Sequence, residues 1–256
     1  MPSYTSVRSV ERTLAVLALM NRRPISRVQE LADEISLPPA TVVRVLETLA
    51  QLGYVRKQSR RTGYTLTEKV HELSAGYHGL PTFLDHAKPV LEELTRHVLW
   101  PAALSTISGT SMIVRFSTIP NSPLSHTHST LQKRLDLLTR AHGRAYLAFC
   151  PPAERRRLFY ELSEAQVTLL SPAELEDQMS SHLHRVRELG YAERDHEIDP
   201  QTTTIAIPIM RENGVAAVVG MTFFRGANPK VSLLLQGLQM AAAKIEKLIE
   251  DEPSYL

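Results

Sequence analysis

The chain has 256 residues, 29 Lys+Arg against 27 Asp+Glu, 43% hydrophobic residues and one cysteine. That length accommodates one small and one mid-sized domain. A single cysteine excludes an intrachain disulfide framework and a cysteine-based zinc finger, and no stretch approaches the ~20 apolar residues of a membrane helix. The net charge of +2 hides an asymmetry: residues 1–70 hold 11 Lys+Arg and 6 Asp+Glu, a net of +5, while the rest hold 18 and 21, a net of −3. A basic head on a mildly acidic body suits a DNA partner better than a membrane. The N-terminus has no apolar signal region, so the expected compartment is the cytoplasm.

In chain order, Ser9 to Asn21 reads as a helix with Val10, Leu14, Leu17 and Ala18 inward. Ser26 opens the next helix, with Gln29 positioned to complete a capping box; Val28, Leu31, Ala32 and Ile35 share one face. Pro38-Pro39 stops it and starts another. This third helix, Pro39 to Leu52, has Val42, Val45, Leu46, Leu49 and Leu52 on one side. Thr41, Arg44 and Thr48 lie on the other, flanked by Pro39, Ala40 and Val43. An apolar back with short polar groups and an arginine in front is what a helix needs to read bases in a major groove. An ordinary amphipathic helix with a solvated face has the same pattern.

Gly53 ends this helix as a left-handed cap. Tyr54 to Lys57 and Tyr64 to Leu66 read as two strands of a hairpin carrying Arg56, Lys57, Arg60 and Arg61. Placed directly after a helix-turn-helix, such a cationic wing is suited to phosphate contact. Glu68 to Tyr77 gives a short helix, and the breaker cluster His78-Gly79-Leu80-Pro81 marks the domain boundary. The expected organisation is a head over 1–79, a linker helix over 80–100 and a body over 101–256. In the linker helix, Thr82 to Leu99, the stripe Leu84, Ala87, Val90, Leu91 and Leu94 requires a packing partner.

In the body, Ala102–Ile107 and Met112–Phe116 form an expected antiparallel pair around Gly109. Helices follow over Arg140–Phe149, Glu154–Leu162 and Glu174–Leu189, with Cys150 expected as a small buried hydrophobe. Ile205–Ile209 and Val215–Phe224 flank Asn213-Gly214, a strong hairpin signal, and Val231–Ile249 closes as a helix. The expected fold class is α+β with a largely antiparallel sheet. The pairs His126/His128 and His182/His184 lack a ligand set at familiar spacing, so no metal is expected. No cofactor is expected either, since nucleophile elbow, phosphate loop and dinucleotide fingerprint are all absent. Glu193, Asp195, Glu197 and Asp199 alternate, as carboxylates on one face of an edge strand would.

Three segments in this order, LADEISLPPATVVRVLETLAQLGYV, RAHGRAYLAF at 140–149 and GYAERDHEIDPQTTTIAIPI at 190–209, resemble the IclR-type transcriptional regulators. The likeness runs from about Val7 to Ile249. The wording RAHGRAYLAFC is also similar to the branch that activates catabolism of hydroxyphenylpropionate-type aromatic acids. The resemblance implies a winged helix-turn-helix head, a GAF-like effector domain, and a homodimer or homotetramer on a palindromic double-stranded DNA operator. It further implies control of a catabolic operon by a small organic acid, aromatic or otherwise. Carried across residue by residue, it implies an effector pocket at Leu135, Ala141, His142, Arg194 or Asp195, and Thr204. His142 stands where the family has a small residue, Arg194 where it often has an acidic one, and Thr204 where it often has cysteine.

Arg194, His142 and a threonine hydroxyl would supply a fixed cation, a switchable donor and a neutral donor, a set suited to a carboxylate. The helix start near Arg140–Ala141 would add backbone N–H groups. The alternative is an α+β enzyme of small-molecule metabolism with an accessory winged-helix head, for which the chain shows no nucleophile–base constellation.

Overall fold

Turn chemistry decides where the helices of the first unit begin and end. The computed structural model describes residues 6–59, 63–76, 83–125 and 127–250, and the chain divides into units over 1–80 and 81–256. In the first unit, α1 (Arg8–Met20), α2 (Val28–Glu34) and α3 (Pro39–Gln51) precede a ribbon of β1 (Val55–Ser59) and β2 (Gly63–Leu66). Ser36, in the left-handed region at φ 51, ends α2, and the Leu37 N–H returns to the Ala32 carbonyl at 3.0 Å. Pro39 then opens α3, where its missing N–H has no helical partner to lose. Gly53, at φ 83, repeats the turn: the Tyr54 N–H reaches the Leu49 carbonyl at 2.9 Å, the same reverse-turn closure. Val16, Met20, Leu31, Ala32, Val42, Leu46 and Leu49 pack with Val55 and Tyr64 of the ribbon.

Several details differ from the sequence expectation. Ser26 does not cap α2; the cap is Arg27, whose N–H donates to Glu30 at 3.2 Å, and Gln29 instead donates to Asp33. Ser26 is buried and exchanges both backbone hydrogen bonds with Tyr64 at 2.9 Å, tying the α1–α2 connection to the wing. Gly63 (φ 104) makes that approach feasible, because a Cβ there would stand 2.5 Å from the Ser26 carbonyl oxygen. In α1, Val16 and Met20 are the buried residues; Ala18 faces solvent, and Val10 and Leu14 are 54% and 58% exposed. Leu52 is likewise exposed beyond the end of α3. Glu68–Leu73 is a 3-10 turn rather than an α-helix.

The second unit opens with α4 (Phe83–Val98), β3 (Ala102–Ser108), β4 (Ser111–Ser117) and β5 (Arg134–Asp136). Next come α5 (Ala141–Phe149), α6 (Pro152–Glu164), α7 (Pro172–Leu189) and β6 (Ala192–Glu193), and then β7 (Thr202–Arg211), β8 (Gly214–Phe224) and α8 (Val231–Glu250). The sheet order is β5-β4-β3-β8-β7-β6 with every pairing antiparallel. Ala206 and Val218 belong to the core formed with α5, α6 and α7, which includes Cys150. Strand alternation turns Ile205, Ile207 and Val219 to the other face, where α4 and α8 pack. The stripe of α4 is therefore covered by its own unit, so the helix expected as a linker is part of the body. The β7–β8 loop is Glu212-Asn213, with Gly214 (φ 129) already in β8. The acidic alternation is not a strand: β6 stops at Glu193 and His196–Ile198 is a 3-10 turn.

Gly143 lies where α5 crosses the chain leading into it; a Cβ would run into the Asp136 carbonyl and the Leu137 backbone. Alanine would gain about 1 kcal/mol of helix propensity, against roughly 1–3 kcal/mol for overpacking into backbone that cannot yield. The clash should win. Gly143→Ala should lower the calorimetric Tm of the second unit by several degrees and leave the first unit's transition in place; an unchanged second transition would contradict this contact.

Candidate functional site

The first unit presents one polar helix face and a cationic ribbon. On α3, Pro39, Ala40, Arg44 and Thr48 are exposed and Thr41 and Val43 half-buried, while Val42, Leu46 and Leu49 hold the back of the helix in the core. The Thr48 hydroxyl donates to the Arg44 carbonyl at 2.8 Å, so Thr48 offers outward its methyl and lone pairs rather than its proton. Arg56 and Lys57 are exposed on β1, opposite Thr65 and Tyr64. The Lys57 ammonium lies 5.6 Å from the Tyr64 ring centroid, a cation–π contact that holds its stem against the ribbon. Arg60 and Arg61 lie outside the described residues.

The second unit contains a cavity of about 370 Å³ where the start of α5 meets the ends of β3, β4, β7 and β8. Leu135, Ala141, His142, Arg194 and Thr204 line it, as do Lys133, Arg140, Asp199 and Thr222. Three cations against one carboxylate make this an anion-favouring space. The α5 ladder begins with the Arg144 N–H bonding the Arg140 carbonyl at 2.9 Å, so the N–H groups of Ala141 and His142, both cavity-lining residues, precede it. No acidic side chain occupies that first turn.

Arg144 holds the cavity's two sides together. Its Nε donates to the Leu138 carbonyl at 2.7 Å, and its Nη2 meets the Asp195 carboxylate at 2.9 Å with the guanidinium only 14% exposed. The Asp195 N–H also donates to the Thr139 carbonyl at 2.9 Å. The Asp195 carboxyl is held below its ordinary range by the Glu197 N–H first and then by Arg144. Asp195 is not among the cavity-lining residues. It braces the loop, and its neighbour Arg194 faces the cavity.

Arg194 is nine-tenths buried, and one end of its guanidinium is anchored: Nη2 donates to the carbonyl and hydroxyl of Thr202 and lies 3.5 Å from Asp199. Its Nε is buried with no partner. A buried unmatched donor on a charged group costs at least about 1–3 kcal/mol. Burial lowers the guanidinium's pKa, with Asp199 opposing that effect.

His142, expected as a switchable donor, is 4% exposed, and its Nδ1 is 2.7 Å from the Ser105 hydroxyl. A Cβ on Gly220 would strike its Nε2, so the glycine leaves the room the imidazole occupies. Burial pushes the imidazole down to about 4, with the Val218 carbonyl opposing. At neutral pH it is therefore an uncharged, fixed hydrogen-bonding group. Sequence reasoning missed Lys133 and Thr222, and it treated Asp199 only as part of an acidic alternation and Arg140 only as a helix start, because residues from seven separate segments become neighbours only in the folded sheet. Among the described residues no His, Cys, Asp and Glu cluster could hold a metal, and no helix is long and apolar enough to cross a membrane.

The IclR helix-turn-helix domain matches residues 9–59, and the bacterial transcriptional regulator IclR C-terminal domain matches residues 81–247. The HTH-type transcriptional regulator KdgR of Escherichia coli K12 is 26% identical, over 94% of this chain and 92% of its own length. The Pca regulon regulatory protein of Pseudomonas putida is 26% identical, over 80% of this chain and 70% of its own. The crystal structure of Thermotoga maritima IclR shares the fold at TM-score 0.65 and 19% identity, covering 94% of this chain and 98% of its own. An IclR homologue from Microbacterium hydrocarbonoxydans, complexed with 4-hydroxybenzoate, has TM-score 0.62 and 19% identity, covering 95% and 100%. The chain belongs to the IclR family and is a DNA-binding transcriptional regulator.

His142 also makes stability depend on pH. With a folded-state pKa near 4 against 6.5 for the free group, the unfolded chain binds the proton more readily between those values. The contribution is intact above about pH 6.5 and is lost as pH falls towards 4, by roughly 3 kcal/mol in all. Urea midpoints for wild type and His142→Gln should show the wild-type advantage shrinking by about 2 kcal/mol from pH 7 to pH 4.5. A constant gap would contradict a neutral buried imidazole.

Proposed function

Starting from that membership, we propose that the cavity is the effector site, that it takes a small organic acid, and that occupancy controls binding of a palindromic operator by a homodimer or a pair of dimers. The observation carrying this reading is the gathering of Lys133, Arg140 and Arg194 around a cavity that Asp199 alone lines with a carboxylate, beside the first turn of α5. A carboxylate there would gain charge-assisted hydrogen bonds that neither water nor a neutral ligand supplies as well. The complex of the Microbacterium relative with 4-hydroxybenzoate, itself a carboxylic acid, supports the class. Control of a catabolic operon in the cytoplasm fits this effector class.

On the output side, Arg44, Thr41 and Thr48 read base edges from α3, with Pro39, Ala40 and Val43 against the groove wall. Arg56 and Lys57 neutralise phosphates, and Arg60 and Arg61 share that role on sequence grounds. A palindrome needs two heads related by symmetry. The exposed apolar stripe of Val7 at the N-cap and Val10 and Leu14 on α1 offers a self-complementary surface for pairing them. Ligand binding shifts a population of head placements, and it can bias DNA affinity only by its differential affinity for those states, a tenfold change needing about 1.4 kcal/mol. In the chain, α4 follows the head directly and so forms the covalent route for this coupling.

A thermal-shift series of carboxylic acids should raise the second unit's Tm in wild type, and Arg194→Met should lose most of that shift. An undiminished shift in the variant would remove Arg194 from the site. In fluorescence anisotropy with a duplex selected from a randomised library, Arg56→Ala/Lys57→Ala should lower the slope of log affinity against log salt by about 2, uniformly across sequences. Arg44→Ala should instead cost roughly 1–3 kcal/mol of discrimination at one base position. Equal salt slopes, or unchanged discrimination, would count against the assigned roles.

A further inference from the structure

We infer that the effector is a hydroxylated, non-aromatic carboxylic acid rather than a benzoate-like ring acid. This rests on reading the cavity as the effector site, and it follows from the neutral part of the lining. Five hydroxyl side chains, Ser117, Thr127, Thr130, Thr204 and Thr222, line the cavity, and no Phe, Tyr or Trp is among the described residues that do. The apolar remainder is aliphatic and mostly small. A flat ring would find no aromatic face to stack on, and hydroxyls would meet its edge.

The hydroxyls are not satisfied among themselves. The Thr204 and Thr222 hydroxyl oxygens are 2.9 Å apart, so one of the two protons is used between them and the other is available. Ser117 accepts from the Thr130 hydroxyl at 3.2 Å and from the Ile119 N–H at 3.4 Å, which fills its acceptor sites and leaves its own proton to donate. Thr204 is buried, and its strand position adjoins Arg194, whose N–H bonds the Thr204 carbonyl at 3.0 Å. A carboxylate drawn to the cations of this cavity therefore has its neighbouring carbons within a lining that includes the Thr204–Thr222 pair. Hydroxyl or oxo groups on those carbons match the remaining donor there; an aryl ring leaves it without a partner. Sites built around such groups discriminate strongly against analogues lacking them.

The test is direct titration of d-glycerate, d-gluconate and d-galacturonate against benzoate and phenylacetate, by calorimetry and by fluorescence of Trp100. Trp100 is the single tryptophan, packs edge-on against Phe223 and Phe224, and adjoins the cavity-lining Pro101. The expected result is that at least one hydroxylated acid binds tenfold or more tightly than either aromatic acid. Thr204→Val, close in volume, should then weaken that acid about tenfold and leave benzoate unchanged or slightly improved. Tighter binding of benzoate or phenylacetate would overturn the hydroxyl-acid assignment and leave the carboxylate reading standing. Equal losses for both classes in Thr204→Val, in a variant with wild-type Tm, would also overturn it. Failure of every acid to bind would overturn both readings.

Discussion

The cavity exists because one nearly buried guanidinium, that of Arg144, ties together chain segments about fifty residues apart. Arg144 grips the Leu138 carbonyl before α5 and the Asp195 carboxylate after β6, while Asp136 folds the same loop by accepting from the N–H and hydroxyl of Thr139. Charge-assisted bonds of this kind contribute about 1.5–3 kcal/mol each when the donor cannot find water instead. Removing the arginine would leave Asp195 and the carbonyls of Leu138 and Glu193 without their shared donor, and the Thr139–Arg194 wall would lose its registration. Gly143 matters for the same reason, since only a residue without Cβ lets α5 approach Asp136 closely enough for Arg144 to reach. The Gly-basic-Ala opening of α5 is thus one mechanical unit.

With the walls fixed, burial sorts the charges. His142 is deep enough that its charged form is suppressed, so it contributes shape and a hydrogen bond to Ser105 rather than a switch. Arg194 cannot discharge and is instead partly neutralised by Asp199 and pinned by Thr202, with its Nε buried and unpartnered. The site is preorganised for an acceptor, and little side-chain entropy remains to be lost on binding.

The parts of the fold governed by local rules were legible in the sequence: α2, the turn, α3 and the Gly53 cap, the β3–β4 and β7–β8 hairpins, and the α8 stripe. Competition between local rules caused the misses. Val10 and Leu14 and, alternatively, Val16 and Met20 each make an acceptable stripe on α1; tertiary packing chose the second and left the first exposed. Ser26 is a good cap by type, yet its backbone was taken by Tyr64. Leu135, Ala141, His142, Arg194 and Thr204 were reached through family resemblance, and the fold brings all five to one cavity. Asp195 was named with them, but the bond to Arg144 draws it into the brace. No periodicity could have placed Lys133 or Thr222 in one cavity with Asp199, since sheet order β5-β4-β3-β8-β7-β6 joins residues nearly ninety positions apart in sequence.

In the proposed function, the Arg144-braced cavity controls the DNA-binding head. The most direct test of this control is the affinity of Arg144→Ala for a library-selected duplex, with and without the tightest-binding carboxylate of the wild-type panel. Expected are wild-type DNA affinity without ligand and loss of most of the ligand's effect, in a variant whose first unit unfolds normally. A full ligand response in Arg144→Ala would contradict it.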